Sequence, residues 1–509
     1  MPDPTPSTSA PTWYGVIRNY FTTRDIEHMR VQGFDLASYD AVKNHAGEIY
    51  QQVAAGNMPP GNPWASVWVA NFLQWMTAGF PKGTPPATMP ATALRALENA
   101  TSTARIRKDV TTLKDPELAA LKKAFTAIMA KDPTDPNSYF VQAGYHWLPA
   151  PNTYCMHHVP GYNPWHRAYL LNFENVLRSV PGCEDVTLPY WDITTPFPEV
   201  LKNAPFDKYT LPEDIGPAPY VKGYVTQRND YPTIEANLAQ FGVTADINRA
   251  LSKTDWEDFN GYFAGAPYNT IIAAHDSGHN SIGPTMSDQS VASFDPVFWF
   301  FHCNWDRLFW QWQTTMHATD LNGLISTISQ TSDPLSYQTF TDPVVGDLAP
   351  FTANPPKVNA AQTVNSVESL GVTYQNPASL TRALVNTTAK TKLRALASEA
   401  VAVHTQLVNV RVDGINRLKI PGSFNVHLQK DGKTIASRGF FQPTEVEKCE
   451  NCVNNAIFHF DFELPLEAVQ GGKLSVWVEP LNKEFVGDRF PNKLMGNPTI
   501  SVNLLLSNE

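Results

Sequence analysis

The sequence predicts an α+β protein with a mainly α-helical central domain followed by a C-terminal β-sandwich. Residues 13 to about 130 alternate helix-like runs with Pro/Gly breaks, and LKKAFTAIMAK (121–131) has the apolar spacing of a helix packed on a core. From about residue 405, short segments such as LVNVRVDGI and KLSVWVEP alternate apolar and polar residues, as half-buried strands do. A chain of 509 residues has room for more than one domain.

Composition sets the predicted boundaries. The helical domain covers 1–345 and includes a stretch at 140–320 that is rich in His, Trp and Phe. A polar, Pro-containing linker follows over 346–402, in which 380–402 has the pattern of a helix, and the β-sandwich covers 403–509. Within the sandwich, QKDGKT predicts a two-residue hairpin turn at Asp431-Gly432.

Charge and termini exclude several classes of protein. The net charge of −10 argues against nucleic-acid binding, which needs a basic face, and no stretch approaches the roughly 20 apolar residues of a membrane helix. The start, MPDPTPSTSAPTW, lacks the basic and apolar regions of a secretory signal. The five cysteines do not form an obvious disulfide framework. We therefore predict a cytoplasmic protein, or one exported without a visible signal peptide.

Six of the thirteen histidines form two groups that suit metal binding: His146, His157 and His166, then His275, His279 and His302. His275 and His279 are four residues apart and share one face of a helix. No Glu follows His275, so the HExxH motif of zinc proteases lacks its general base. Imidazole binds copper, zinc, iron and nickel, so the residue type leaves the metal open.

The surroundings of the second group predict a dry site. Asp295 and Pro296 suit the start of the helix that carries His302, and Phe and Trp residues surround that histidine. A single His among aromatic residues is usually a hydrogen-bonded core residue, so the metal hypothesis depends on the combination of all six. The remaining histidines, including His158, are predicted to have no metal role.

Both groups lie in segments that resemble the tyrosinase family, which includes catechol oxidases and haemocyanins. The segment CMHHVPGYNPWHRAYLLNFENVLR resembles the first copper motif, with His157, Trp165-His166-Arg167, Leu170 and Glu174 at the motif positions and a departure at Tyr162-Asn163. Asp295-Pro296-Val297-Phe298-Trp299, His302 and Asp306 resemble the second motif. GYHWLP, around His146, resembles the more variable segment of the first copper-A histidine.

The resemblance implies a four-helix bundle around two copper ions, each held by one group of three histidines, with dioxygen as co-substrate. It also implies that Cys155, in Cys155-Met156-His157, is joined to His157 by a thioether. The implied activity is that of a copper oxidoreductase, which hydroxylates monophenols or oxidises o-diphenols to o-quinones. Small phenols are the implied substrates.

The resemblance also suggests roles for residues near the metal. Asp276 and Asn280 follow the first two copper-B histidines, where relatives have residues implicated in deprotonating a monophenol. Ile271-Ile272 stand where many relatives have a water-holding Glu; either Glu235 or Glu257 could replace it. Val291 aligns with a position at the substrate entrance.

In latent relatives, a trailing β-domain covers the site. Phe440-Phe441 followed by Cys449-x-x-Cys452 resembles the blocking Phe and copper-delivering CxxC of fungal pro-tyrosinases, and the spacing to the CxxC agrees with Phe440 as the blocking residue. The expectation is a latent chain that an activating protease cuts within 345–400. A core Phe pair and a structural or redox CxxC are the alternatives.

Other functions remain open at this stage. A catechol oxidase or o-aminophenol oxidase without monophenolase activity, or a haemocyanin-like oxygen carrier, would use the same copper pair. A zinc hydrolase is disfavoured by the missing Glu, and a β-domain adhesin would explain only the last hundred residues. The natural substrate and the oligomeric state do not follow from the sequence.

Overall fold

A computed structural model describes residues 11–13, 17–21, 29–30, 34–36, 38–58, 64, 66–83, 104–149, 154–375, 406–482 and 493–505. The chain divides into two compact units, residues 1–103 with 329–334, and residues 104–328 with 335–509. The helix predicted at 380–402 lies outside the described residues. Within the described ranges, every helix is too short or too polar to span a bilayer.

The first half of the chain contributes helices α1 Tyr39–Asn44, α2 Ala46–Ala54, α3 Ser66–Thr77, α4 Asp115–Met129, α5 Tyr139–Gly144, α6 Tyr162–Arg178, α7 Tyr231–Gln240 and α8 Val243–Leu251. The second half contributes α9 Trp256–Asn260, α10 Ile271–Ile282, α11 Val297–Thr315, α12 Leu321–Ile325, α13 Pro334–Thr341, α14 Ala360–Thr363, α15 Ser366–Leu370, α16 Glu450–Asn454 and α17 Leu466–Val469. The strands are β1 Arg105–Arg107, β2 Val372–Tyr374, β3 Leu407–Asn416, β4 Phe424–Lys430, β5 Lys433–Phe440, β6 Ile457–Pro465, β7 Leu474–Pro480 and β8 Thr499–Leu504.

The smaller unit contains α1 to α3 and an aromatic core. Tyr20 stacks on Trp68 with ring centroids 4.6 Å apart, and Trp75 is fully buried. Ser38 caps α1 by accepting a hydrogen bond from the Ala41 amide.

In the larger unit, α4, α6 and α11 pack through aromatic side chains. Phe125 of α4 lies 5.4 Å from Phe173 of α6 and 5.7 Å from Phe300 of α11, measured between ring centroids. Asp295 accepts the Val297 amide at 3.0 Å at the start of α11, so the predicted start of that helix is confirmed. Almost every residue of α10 and α11 is buried, which fits the dry surroundings predicted for them.

A buried ionic network joins α6 and α11 to β1. Arg107 of β1 binds Glu174 of α6 at 2.7 Å, and Arg167 of α6 binds Asp306 of α11 at 2.6 Å. Arg107 also lies 3.4 Å from Asp306. Three of these four residues, Arg167, Glu174 and Asp306, belong to the segments that resemble the copper motifs. Their side chains hold the helices together, whereas the histidines of the same segments are the predicted metal ligands.

Strands β3 to β8 form two antiparallel three-stranded sheets, with orders β6-β3-β8 and β5-β4-β7. Phe440 of β5 packs on Phe458 of β6 with centroids 4.3 Å apart, so aromatic contacts join the sheets. The predicted hairpin is confirmed, since Lys430 pairs with Lys433 and both turn residues, Asp431 and Gly432, have positive φ. The predicted fold class, a helical domain with a C-terminal β-sandwich, is confirmed.

Strand β5 lies directly against α10. The Gly439 amide donates to Ser277 Oγ at 3.0 Å, and a Cβ at Gly439 would lie 2.7 Å from Ser277 Cα and 3.0 Å from the Asp276 carbonyl oxygen. Only glycine allows so close an approach of strand to helix. An ion pair between Arg438 and Asp246 of α8 adds to the contact.

Replacing Arg107 by Met should lower the free energy of unfolding by about 3 kcal/mol, because buried Glu174 loses its closest cation and keeps only Arg105 at 3.6 Å, while Asp306 retains Arg167. Urea unfolding followed by circular dichroism measures the effect. The matched control is Lys222→Met, which removes an exposed ion pair with Glu213 at 3.2 Å and should cost less than about 1 kcal/mol. Equal effects of the two substitutions would contradict the structural role of the network.

Candidate metal centre

The six predicted histidines come together in the larger unit, and all are buried. His146 follows α5, His157 precedes α6, His166 lies on α6, His275 and His279 lie one turn apart on α10, and His302 lies on α11. Their ligand atoms form two groups, one of His146, His157, His166 and Cys155, the other of His275, His279 and His302, with the atoms of each group within 4.8 Å of one another. The sequence grouping therefore corresponds to two neighbouring sites.

Hydrogen bonds to the outer nitrogen fix the orientation of four rings. Nδ1 of His146, His166 and His279 donates to the carbonyl oxygens of Gln289, Tyr162 and Met286, at 3.1, 2.8 and 2.7 Å. Nδ1 of His275 donates to the Asp276 carboxylate at 2.8 Å. Each bond leaves Nε2 as a lone-pair donor, the usual arrangement of metal-binding imidazoles.

The Nε2 atoms of these histidines are placed to bind metal ions. Nε2 of His166 and Nε2 of His275 are buried without a hydrogen-bond partner among the described residues, and Nε2 of His279 lies 3.2 Å from Nε2 of His302. Burial lowers the pKa of His146 to about 3 and also lowers the pKa values of the other five histidines. Neutral imidazoles with unused lone pairs fit copper.

The two groups are adjacent. The rings of His166 and His302 stack with centroids 4.5 Å apart and an interplanar angle of 5°, and the His157 and His275 rings lie 5.5 Å apart. One residue of each pair comes from the first group and one from the second. This arrangement suits two metal ions that act on one bound molecule.

Cys155 lies against His157. Its Sγ is 2.6 Å from His157 Nδ1 and 3.8 Å from Nε2, and the residue is buried. The carbon between those nitrogens, Cε1, is therefore within reach of the sulfur. Burial raises the pKa of the Cys155 thiol, so the group is a neutral thiol until it reacts.

Asp276 is fully buried beside the second group and is engaged on both oxygens. Oδ1 accepts from His275, while Oδ2 accepts from His158 Nε2 at 2.7 Å, from Tyr268 OH at 2.7 Å and from the Phe441 amide at 3.1 Å. Burial acts to raise the pKa of Asp276, but the contacts with His158 and His275 outweigh it and lower the pKa. Asp276 is thus an anion that orients a metal-binding histidine.

Two consecutive residues of the C-terminal sheets reach the histidines. The Phe441 ring stacks on His279 with centroids 3.8 Å apart and an interplanar angle of 12°, and lies 5.2 Å from the His157 ring. The Phe440 ring stacks on His158 at 4.5 Å. Of the two residues singled out in the sequence, Phe441 is the one that lies over the predicted metal ligands.

The other candidates lie in different surroundings. Asn280 is buried and donates to the Phe424 carbonyl at 3.0 Å and to Asn425 Oδ1 at 2.9 Å. Val291 is fully buried, two residues after Gln289. Glu235 is exposed on α7, whereas Glu257 is buried on α9, so the two acids considered for holding a water differ in environment.

Cys449 and Cys452 form a disulfide and are buried against Trp147, the neighbour of His146. While the bond is intact, neither sulfur offers a thiolate to copper, and a delivery role requires the reduced form. An odd number of cysteines gives no sign of such a pair. The disulfide joins residues only three positions apart, so it is a local link and not a disulfide framework.

Sequence reasoning missed three residues that support the site: Gln289, Tyr268 and His158. Gln289 acts through its backbone carbonyl, which no residue-type motif can reveal. Tyr268 and His158 come from separate segments of the chain, and both donate a hydrogen bond to the same oxygen of Asp276. A sequence signal existed for His158, because it adjoins His157, but its hydrogen-bond partner lies 118 positions away.

Comparisons with known proteins agree with this geometry. Residues 136–315 match the family model described as the common central domain of tyrosinase. The chain is 32% identical over 237 residues to haemocyanin G-type, units Oda to Odg, of Enteroctopus dofleini, covering 43% of this chain and 8% of that protein. It is 26% identical over 477 residues to a tyrosinase of Aspergillus oryzae, covering 68% of this chain and 86% of that protein.

Among solved structures, the apo-protyrosinase of Aspergillus oryzae aligns with a TM-score of 0.55 and 17% identity, covering 79% of this chain and 92% of that one. That likeness concerns the fold alone. The chain spans less than a tenth of the length of the haemocyanin. Residues 136–315 therefore match the common central domain of tyrosinase, and this segment contains both histidine groups, whose ligand atoms could each hold a metal ion.

Replacing His302 by Ala should reduce bound copper from two ions to one per chain, because the second group loses one of its three ligands. Metal content after loading and desalting, measured by mass spectrometry, tests this. The control His317→Ala removes an exposed histidine outside both groups and should retain two ions. Full copper content in the His302 variant would contradict the assignment of this ligand.

Proposed function

We propose that the protein is a phenol oxidase that uses dioxygen to oxidise o-diphenols to o-quinones and to hydroxylate monophenols. We further propose that the described residues from 406 onward, which include strands β3 to β8 and are hereafter the lid, keep it latent. The observation that carries the proposal is the Phe441 ring, stacked on His279 between the two histidine groups. An aromatic ring already fits there, so a phenol ring of the same size fits when the lid is displaced.

The copper pair, when bound, supplies the activation of dioxygen and accepts the electrons of the phenol. The chain's own residues provide the rest. His279 offers a flat face on which the aromatic ring stacks, and Phe298 and Phe301 exclude water from the surroundings of His302. The six neutral imidazoles would hold the two metal ions.

Asp276 and Asn280 are the candidates for handling the phenolic proton, directly or through a water molecule. In the closed chain both are occupied by the lid, Asp276 by the Phe441 amide and Asn280 by Phe424 and Asn425. Asn280 Oδ1 has no hydrogen-bond partner among the described residues, so it is available to orient a water. Displacing the lid would free the Asp276 acceptor and the Asn280 amide together.

An oxygen carrier is the second candidate, because several relatives of this chain are named haemocyanins. The two functions differ in whether a phenol can reach the site. In this chain the part of the lid that fills the site is one aromatic side chain, Phe441, directly after β5. Displacing the lid would let a phenol reach the site, and this favours the oxidase.

Replacing Gly439 by Val should activate the full-length enzyme without proteolysis. The added side chain would meet the α10 backbone at about 3 Å, so β5 cannot remain docked and Phe441 must withdraw. We expect quinone formation from 4-methylcatechol to rise at least about tenfold over the wild-type chain. A tenfold rise corresponds to a change of about 1.4 kcal/mol in the free-energy difference between the closed and open states.

The matched control is Thr434→Val, a change to the same residue at the exposed start of the same strand, away from α10. It should leave the chain latent. A Gly439→Val chain that is folded, copper-loaded and still as slow as wild type would refute the lid mechanism.

Copper-loaded protein exposed to air should form a thioether between Cys155 Sγ and His157, with dioxygen as the two-electron oxidant that takes up both hydrogens as hydrogen peroxide. The bond replaces one S–H and one C–H, so the intact mass falls by two hydrogen atoms. Mass spectrometry of the intact chain and of the Cys155–His157 peptide tests this. Cys155→Ser should show no loss, and an unmodified wild-type peptide would contradict the expectation.

A further inference from the structure

Among the described residues, Tyr162 has a buried hydroxyl group without a hydrogen-bond partner. The residue begins α6 and is 1% exposed. Other buried tyrosines differ, because the hydroxyl groups of Tyr139 and Tyr169 donate to backbone carbonyls and that of Tyr268 donates to a carboxylate. An unpaired buried hydroxyl is unfavourable, so the one on Tyr162 requires a physical reason.

Tyr162 contacts one histidine of each group. The centroid of its ring is 4.8 Å from that of His166, in the first group, and 5.0 Å from that of His275, in the second. Its backbone carbonyl accepts a hydrogen bond from His166 Nδ1 at 2.8 Å, which fixes the residue beside that ring. Nε2 of His166 and Nε2 of His275 are also buried without a partner in the part of the chain that the structure describes. One unpaired donor and two unpaired acceptors therefore belong to side chains in mutual contact.

The two histidine nitrogens are poor partners for this hydroxyl, since they are the atoms predicted to bind metal ions. A hydroxyl that donated to either of them would compete with the metal for the same lone pair. A small anion held between the metal ions removes the conflict, because it accepts the hydrogen bond and leaves both imidazole lone pairs to the metals.

Tyr162 and Asn163 are the two departures from the first copper motif, and the structure treats them differently. Asn163 Nδ2 donates to Asn260 Oδ1 at 2.6 Å, so its polar group is used within the protein. The hydroxyl of Tyr162 adds a donor beside the histidines. The first departure therefore changes the chemistry of the site, whereas the second joins two elements of the fold.

We propose that the Tyr162 hydroxyl donates a hydrogen bond to a small inorganic anion, such as hydroxide or azide, that binds between the two histidine groups. Tyr162 is then a ligand-binding residue of the metal centre in addition to the six histidines. The inference rests on the copper centre of the proposed function and not on the oxidation of phenols, because an oxygen carrier would have the same hydrogen bond.

Azide binding tests the proposal without turnover. All chains compared carry Gly439→Val, so that Phe441 does not compete for the site, and all are loaded with copper(II) and checked for two ions per chain. Tyr162→Phe removes the hydroxyl and keeps the ring on His166 and His275. We expect the dissociation constant of azide, measured from its charge-transfer absorption, to rise at least about tenfold, as the loss of a hydrogen bond to a charged group allows.

Infrared spectroscopy gives a readout that a general loosening of the structure would not reproduce. The antisymmetric stretch of azide depends on its hydrogen bonds, so its frequency should differ between the chains with and without the Tyr162 hydroxyl when both are saturated. The matched control is Tyr169→Phe on the same helix, which removes a hydroxyl bonded to the Gln142 carbonyl at 2.6 Å. This control should leave both the azide affinity and the frequency unchanged.

The metal-free protein provides a second comparison. Because the Tyr162 hydroxyl has no partner among the described residues, Tyr162→Phe should unfold at a urea concentration no lower than its parent chain. Tyr169→Phe should unfold at a lower concentration, since it loses a hydrogen bond. A metal-free Tyr162→Phe chain less stable than its parent, equal azide affinities with and without the hydroxyl, or no azide binding to either chain would overturn the proposal.

Oxidation of 4-methylcatechol separates this inference from the proposed function. A Gly439→Val chain that oxidises 4-methylcatechol, with azide binding that does not depend on Tyr162, would overturn the inference alone. A chain that binds two copper ions and azide through Tyr162 but oxidises no catechol would support the inference and overturn the oxidase function.

Discussion

The Asp276 carboxylate connects the metal centre to the lid. One oxygen orients His275, and the other accepts hydrogen bonds from His158, Tyr268 and the Phe441 amide. A buried anion is tolerated only with such partners, so their removal has consequences at the metal. The position of Phe441 and the orientation of a copper ligand are therefore coupled through a single side chain.

The nature of its contacts would allow the proposed lid to be well packed and still be displaced. The contacts that β5 and Phe441 make with the helical part include a hydrogen bond from Gly439 to Ser277 of α10 and an ion pair between Arg438 and Asp246 of α8. Two aromatic rings add to them, Phe440 on His158 and Phe441 on His279. Polar groups of this kind find water when the surfaces separate, whereas the α6–α11 core is fixed by the buried Arg107 network and aromatic packing. The helices can keep the metal ligands in place while the lid moves.

Much of the site could be predicted from the sequence because its chemistry lies in residue types at fixed spacing. The two histidine groups, the start of α11 and the Asp431-Gly432 turn depend on local geometry, and the structure has them as predicted. The spacing to the CxxC favoured Phe440 as the blocking residue, whereas Phe441 is the residue that lies over His279. Neighbouring residues of an extended chain point to opposite sides, so the strand register decides which one faces the histidines. Tyr268 and the Gln289 carbonyl could not be found, since their contacts depend on how distant segments fold together.

The most direct test of the account measures oxygen consumption by copper-loaded protein whose lid has been displaced, with excess catechol present. A phenol oxidase consumes many molecules of dioxygen per dicopper site, until catechol or oxygen is exhausted. We predict this result for the protein with its lid displaced, and slow oxygen uptake for the closed chain. Uptake that stops at one dioxygen per site and reverses when oxygen is removed would contradict it, and would make the protein an oxygen carrier.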